Sequence, residues 1–512
     1  MSTNIKFNLI LTEIAMFSTD KLKKILGENL VLSDDQICET YSRDQSFVSG
    51  KKPDAVVFAE SAEQVQEVLR YANKTKTPVV PRSSGLNLHG AAVPAYGGIV
   101  LDLSKMDRII EINEKDMYVI VEPGVTFEKL QNALIEKSLR IMVPFGVPPG
   151  RSVLTSYLER DIVMTSASTE YGNFLTHDTE LVLPDGELFR TGCWNLGGRP
   201  GGLYGPGLNT LHRLWTGAQG TLGVFTKMVI SIHHLSPVRN FFFIPFENIN
   251  DIPEPIKKIQ RKELGWECFG LNRFNLASIL NDDWQTPENF PSKAVPSSNF
   301  EKLKASLPPW TVIVGISGLP HLPEEWIKIQ EEVLLEICGK EGLKAEKSLP
   351  GFPDIENVFL KESLKPFSIL KKFNYKGAVH DLSFKTQLNK IPEMERTLIS
   401  STRDNGSTTD DIGGYFSVIE RGRSVHCEFD LHATHGPSEQ KEKVKTLWET
   451  AGRDLLDAGA LFDQPYGYWA EIVYACAPQY HKKLKQLKAE MDPQGILNPG
   501  RLCFTMGPNQ NS

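Results

Sequence analysis

Apolar positions along the chain change their period several times, and each change marks an element. Residues 54–59, DAVVFA, form a short continuous apolar run after a proline, which predicts a buried strand. SAEQVQEVLRYANK follows with Val65, Val68, Leu69 and Ala72 at the spacing of one helix face, and Ser61 with Gln64 resembles a capping box at its start. TPVVP reads as a second strand and GGIVLDL as a third, with PRSSGLNLHG (81–90) between them. YVIVEPGV predicts another strand, TFEKLQNALIEK an amphipathic helix opened by Thr126, and TELVLPDGELFRTG a hairpin turning at Asp185-Gly186.

After HHLSP (233–237) the texture changes. Longer charged helices such as LPEEWIKIQEEVLLEICGK appear beside proline-rich connections such as PSKAVPSS, so a second domain is expected to begin there. Period-two alternation returns in GAVHDLSF and in YFSVIERGRSVHCEFDLH, predicting strands of an antiparallel sheet. The last element, KKLKQLKAEMDPQGILNPGRL, reads as a helix stopped by Asp492-Pro493.

Length and composition narrow the function classes. A chain of 512 residues is too long for one core and implies roughly two to four domains, hence clefts between them. With 40% hydrophobic and 23% charged residues it has the make-up of a globular protein, and its apolar stretches fall short of the ~18 residues of a spanning helix. A net charge of -7 offers no general attraction for nucleic acid, and KKLKQLK reads as a solvated helix face. The opening MSTNIKFNLILTEIAMF lacks the pattern of an export signal, so a cytoplasmic location is expected. Cysteines at 38, 193, 268, 338, 427, 476 and 503 include no CxxC pair and are odd in number, which argues against a disulfide framework, an iron–sulfur cluster or a cysteine zinc site.

The segment PRSSGLNLHG is small, polar and rich in free N–H groups where a strand ends, which suits a diphosphate better than bulky side chains would. RSVLTSYLER with TSASTEYGN, and GAQGTLGVFTKM, add hydroxyls, small residues and a glycine-spaced turn, so an extended dinucleotide lying across loops is expected.

The stretch from Pro53 to about Leu235 resembles the FAD-binding domain of the vanillyl-alcohol oxidase and p-cresol methylhydroxylase (PCMH) flavoprotein family. The resemblance is carried by PVVPRSSGLNLHGAAVP, IVLDLSKMDRIIEINEKDMYVIVEPGVTFEKL, LVLPDGELFRTG and GTLGVFTKM, with an echo in MDPQGILNPGRL. It implies an α+β fold: an N-terminal segment (1–52), a PCMH-type FAD-binding domain of two subdomains (53–237), a cap domain with a large antiparallel sheet (238–455), and a C-terminal segment (456–512) completing the FAD domain. It implies FAD as cofactor, with Pro81, Ser83, Ser84, Gly85, Asn87 and Leu88 on the pyrophosphate. Ser152, Ser156 and Glu159, then Gly223 and Val224, would line the rest. His380 shares an apolar strand face with Ala378, Leu382 and Phe384 and reads as a packed core histidine; the alternative, implied by the resemblance, is a covalent link to the flavin, which family members carry on this strand.

The phenol-oxidising branch of that family binds its substrate as phenolate through tyrosines and an arginine. Those positions fall here on Phe462-Asp463 and, for the loop tyrosine, at His89 or in a deletion, and the branch's acidic residue near the flavin falls on about Val147. An aspartate in place of arginine opposes a phenolate. In HCEFDLH, His426, Glu428, Asp430 and His432 share one strand face, which meets either solvent or the cavity above the flavin. In the second case His426, with Glu428, serves as acid or base. Arg421 and Arg423 are the basic candidates for a substrate carboxylate. His435 after His432 permits a metal site, but the HxGDGNxH-type pattern of the hydroxy-acid relatives is absent, and no metal is expected.

The expected activity is removal of a hydride from a C–H bond of a small organic, aromatic or hydroxylated substrate. A 2-hydroxy acid dehydrogenase and a non-dehydrogenating electron-transfer subunit are the alternatives. Oxygen or an acceptor protein would take the electrons, and a homodimer is expected from the resemblance.

Overall fold

The computed structural model describes residues 16–169, 175–197, 208–281, 298–365, 372–434 and 438–504. The connection at 291–297, part of TSASTEYGN and His435 lie outside them.

The first sheet has four strands in the order Val31–Leu32, Ala55–Phe58, Ile99–Asp102, Val79–Arg82. Ile99–Asp102 pairs in parallel with Ala55–Phe58 on one side and Val79–Arg82 on the other, as a strand–helix–strand connection requires. The connecting helix, Ala62–Thr75, lays Val65, Val68, Leu69 and Ala72 on the sheet with no exposed surface. Burying each of its valine and leucine side chains contributes about 1.5–3 kcal/mol. Ser61 caps the helix by accepting from the Gln64 amide, while the Gln64 side chain accepts from the Glu60 amide, one residue beyond a standard box. The N-terminal segment is part of this layer, because Val31–Leu32 forms its antiparallel edge.

The second sheet is antiparallel, ordered Ile109–Asn113, Tyr118–Val121, Val224–Ser231, Thr176–Val182, Leu188–Arg190. The helix Phe127–Ile135, capped by Thr126, buries Phe127, Leu130 and Leu134 in its core.

Six antiparallel strands make the third sheet, ordered Arg239–Phe246, Trp310–Ser317, Glu267–Asn272, Gly413–Ile419, Ser424–Thr434, Gly377–Thr386. Leu382, Phe384, Cys427, Phe429 and Leu431 face the helices Ile391–Asp404 and Glu439–Asp457 and form an apolar core with them. The opposite face of the same strands is polar and turns toward the first two sheets.

Two features hold the cap on the rest of the molecule. Glu267, fully buried in the cap sheet, takes Arg239 at 3.0 Å and Arg140 from the strand Leu139–Arg140 at 3.5 Å. The chain then returns after the cap: Leu497 bridges Val79, and Asn498 donates to Ala91 and Gln219 carbonyls. Asp492 organises that return by accepting from the Ile496 and Leu497 amides and from Lys488. Among the described residues no helix is long and apolar enough to cross a membrane.

Candidate active site

The loop 83–88 leaves the strand Val79–Arg82 at the edge of the first sheet. Gly85 (φ +68°) and Leu88 (φ +63°) turn the backbone into the left-handed region, and at Gly85 a Cβ would lie 2.3 Å from the Arg82 guanidinium. Among the described residues, none of the backbone N–H groups from Ser83 to Leu88 reaches a protein acceptor. The loop is nevertheless fixed, since Ser83 Oγ lies 2.6 Å from Thr155 Oγ1 and Ser84 Oγ accepts from the Ser152 amide at 3.1 Å.

A cavity of about 100 Å³ opens onto these free donors, bounded by Ser83, Gly85 and Asn87, by Thr155 and Glu159, and by Gly223-Val224. Gln219 Oε1, on its wall, is buried without a partner. Gly220 keeps the floor low, for a Cβ there would meet the Pro81 ring at 2.5 Å. A fixed loop with unspent N–H donors fits the diphosphate of a dinucleotide, and the unpaired Gln219 oxygen suits a hydroxyl or N–H elsewhere on such a molecule.

Some expected cofactor contacts move. Ser152 Oγ is wholly buried, donating to the Pro123 carbonyl and capping the helix Val153–Leu158, so it is a structural residue. Ser156 Oγ donates to Asp161. Thr155 and Arg151 take their places on the cavity wall. Leu88 lines a separate, larger cavity rather than this one.

A second cavity, of about 160 Å³, lies between the loop and the cap. Strand register builds its upper wall. Ser417, His426 and Lys385 form one row across three strands; Tyr415, Glu428 and Ser383 form the next; Gly413, Asp430 and Asp381 form a third. Of these, Asp381, Ser383, Tyr415, His426 and Glu428 line the cavity, so this face of HCEFDLH looks into the protein and not to solvent. Opposite them stand Asn87, His89, Val147, Arg151, Asp161 and Tyr466.

His426 Nε2 lies 3.8 Å from Glu428 Oε2. The other Glu428 oxygen takes Lys372 Nζ at 2.7 Å, and the same ammonium reaches Asp430 Oδ1 at 2.6 Å. Burial alone would raise the Glu428 carboxyl, but Lys372 and His426 outweigh it and hold the group well below the usual carboxylate range. Asp430 ends on the other side: burial, with Glu428 nearby, pushes it above the usual carboxylate range despite Lys372. Across the cavity Arg151 pairs with Asp161 at 3.0 Å. Glu159 is raised by burial, and its carboxylate accepts from the Tyr466 hydroxyl.

A third and larger cavity, about 780 Å³, shares His89, Asp381, Ser383, Gln464 and Tyr466 with the second. His380 lines it from the opposite strand face to Asp381, stacked on Phe47 with ring centroids 3.9 Å apart. Burial pushes this imidazole down to about 3, so it is neutral, and its Nε2 is buried without a partner.

The basic residues expected for a carboxylate lie elsewhere. Arg423, with 80% of its side chain exposed, pairs with Glu420 in the turn before Ser424–Thr434. Arg421 in the same turn donates to the Leu264 and Gly265 carbonyls. Neither borders the cavity. Phe462 stacks on Trp469, and Asp463 pairs with Lys385 at 2.9 Å, so the positions of the phenolate-binding tyrosine and arginine serve packing and an ion pair. Val147 does line the cavity, and an acid enters it from another position, Asp161. Arg151, Asp161, Lys372 and Tyr466 carry no local sequence signal, because their partners are brought together only by the fold. Among the described residues no group of metal-ligating side chains forms.

A dinucleotide cradle opening through a polar cavity under a cap sheet defines an FAD-dependent oxidoreductase. The FAD binding domain family model matches residues 53–192. The chain is 32% identical to the 4-cresol dehydrogenase [hydroxylating] flavoprotein subunit of Pseudomonas putida, over 94% of each chain. It is 29% identical to the probable mitochondrial D-lactate dehydrogenase of Danio rerio, over 94% of this chain and 90% of that one. Among solved structures, p-cresol methylhydroxylase with substrate bound superposes with a TM-score of 0.79 at 20% identity, covering 95% of this chain and 96% of the other. The 4-ethylphenol oxidase of Gulosibacter chungangensis gives 0.75 at 22%, covering 96% and 97%. The chain belongs to the vanillyl-alcohol oxidase and p-cresol methylhydroxylase family of flavoproteins, and FAD is its cofactor.

Proposed function

We propose that the enzyme oxidises a small, neutral, hydroxylated substrate at a carbon bearing hydrogen, with His426 accepting the hydroxyl proton. One observation carries the substrate class: among the described residues Arg151 is spent on Asp161 and Lys372 on Glu428, while Asp381 on the same wall is opposed only by the His89 imidazole 3.6 Å away. Two like charges 4 Å apart repel by about 4 kcal/mol at an effective dielectric of 20. A phenolate or a 2-hydroxy carboxylate would meet that repulsion with no free cation to offset it; an uncharged alcohol would not. These features support neither 4-cresol nor D-lactate as the substrate here, although relatives are named for both.

FAD, when bound, supplies the two-electron acceptor for the substrate hydride. The loop 83–88 would hold its diphosphate, with Thr155, Gly223 and Val224 alongside. His426 is placed to receive the proton that leaves as the C–O bond becomes a carbonyl, and Glu428 stabilises the resulting imidazolium. Tyr466, fixed by Glu159 and stacked on His89 at 5.0 Å, closes the cavity from the C-terminal segment and limits water. His380, neutral and bordering the large cavity, is the residue we assign to covalent attachment. The test of the reading is which substrates bleach the bound flavin without oxygen.

A further inference from the structure

We propose that Lys372 is a positioning residue for the reaction: it holds Glu428 ionised and aimed at His426, so that the histidine can take the substrate proton. The inference rests on the assignment of His426 as base. It starts from geometry. Lys372 lies just before the strand Gly377–Thr386, outside the polar face of HCEFDLH, and does not itself border the cavity. Its ammonium is nevertheless inserted between alternate residues of that face, 2.7 Å from Glu428 Oε1 and 2.6 Å from Asp430 Oδ1. Glu428 therefore spends one oxygen on Lys372 and turns the other toward His426 Nε2.

One ammonium between two buried carboxylates leaves the group one negative charge in excess. Asp430 is the member that gives way, being fully buried and pushed above the usual carboxylate range by burial and by Glu428, which outweigh Lys372 and the Asn275 Nδ2 donation to its second oxygen at 2.9 Å. Glu428, which borders the cavity with 19% of its side chain exposed, keeps its charge. The order matters for catalysis. An ionised Glu428 favours the imidazolium that forms when His426 accepts a proton, whereas a protonated Glu428 does not.

Other charged and titratable groups face Glu428 and bear on its state. Besides Lys372, His426 and Asp430, they are Tyr415 and Asp381 on the flanking strands. Across the cavity stand His89, Arg151, Asp161 and Tyr466. Arg151 is engaged by Asp161, and Asp381 lies 3.6 Å from His89. Among the described residues Lys372 is thus the only lysine or arginine in direct contact with Glu428.

The test compares Lys372→Met, Lys372→Arg and Asp430→Asn in the FAD-loaded enzyme, following anaerobic flavin reduction against pH with a substrate shown to reduce the wild type. In Lys372→Met the Glu428 carboxyl loses its counter-charge and its pKa rises. Reduction should fall at least tenfold at pH 7 and recover as pH is raised, with the midpoint of its rise displaced upward by a unit or more (about one unit per tenfold). Lys372→Arg should restore much of the rate and the original midpoint. Asp430→Asn leaves Lys372 to Glu428 alone and should keep the wild-type profile or shift it downward. Flavin content and melting temperature are read for each variant. A Lys372→Met enzyme with full flavin content and an unchanged pH profile would overturn the proposal. So would a rate loss that is equal at every pH and not rescued by arginine, which marks a structural role. If His426→Ala is fully active while Lys372→Met shifts the profile, the base assignment fails and Lys372 acts through another group.

Discussion

Nε2 of His426 and Oε2 of Glu428 lie 3.8 Å apart on the inward face of the strand Ser424–Thr434, at the wall of the cavity between loop and cap. The pair joins an imidazole of the cap sheet that borders this cavity to a carboxylate kept charged from behind. His426→Ala should slow flavin reduction by the true substrate ~10²–10⁴-fold, the usual contribution of a general base. Flavin content should not change, because His426 does not border the cavity that would hold the diphosphate. Stopped-flow absorbance under anaerobic conditions measures both quantities.

The cradle itself makes a separate prediction. A β-branched residue is strained at the positive φ of Gly85, and its Cβ would run into the Arg82 guanidinium, so Gly85→Val must displace the loop and its free N–H groups. Flavin recovered per chain should drop at least tenfold, while the circular dichroism of the cap and sheets is retained. Normal flavin content in that variant would mean that the diphosphate sits elsewhere.

Attachment at His380 is read from a denatured sample. Wild-type protein precipitated with acid should keep its yellow colour in the pellet, and His380→Ala should release flavin to the supernatant. Complete release from the wild type would remove the covalent bond from the account while leaving the cavity intact.

Buried histidines give the fold an acid limb. Burial pushes His177 and His233 down to about 4, against 6.5 in an unfolded chain. Between those values the unfolded chain binds more protons than the folded one, so stability is present above pH 6.5 and is lost as pH falls toward 4. Each group contributes a slope of ~1.4 kcal/mol per pH unit in that window. Melting temperatures from pH 7.5 down to 4.5 should fall less steeply in the double variant His177→Gln/His233→Gln than in the wild type.

Much of the fold is written locally. The spacing of Val65, Val68, Leu69 and Ala72 fixes a helix face, Asp185-Gly186 fixes a hairpin, and the alternation of Cys427, Phe429 and Leu431 fixes which side of a strand meets the core. The same alternation placed His426 and Glu428 on one face but left open what that face meets. That depends on the FAD domain folding against it. Lys372 was beyond reach because it lies 56 positions from Glu428, and nothing near it in sequence signals burial. Arg423 and Ser152 show the converse error. Each has the right chemistry for a site, yet a turn exposes the first and a helix cap consumes the second.

Substrate charge tests the central claim most directly. Oxygen-free protein is mixed with a panel of neutral benzylic and aliphatic alcohols, with 4-cresol above and below its own pKa, and with D- and L-2-hydroxy acids, and the loss of flavin absorbance is timed. The acidic lining predicts that a neutral alcohol bleaches the flavin fastest, that 4-cresol reacts more slowly as it ionises, and that hydroxy acids are inert. Rapid bleaching by a hydroxy acid, or by 4-cresol with a rate that climbs as phenolate forms, would contradict it.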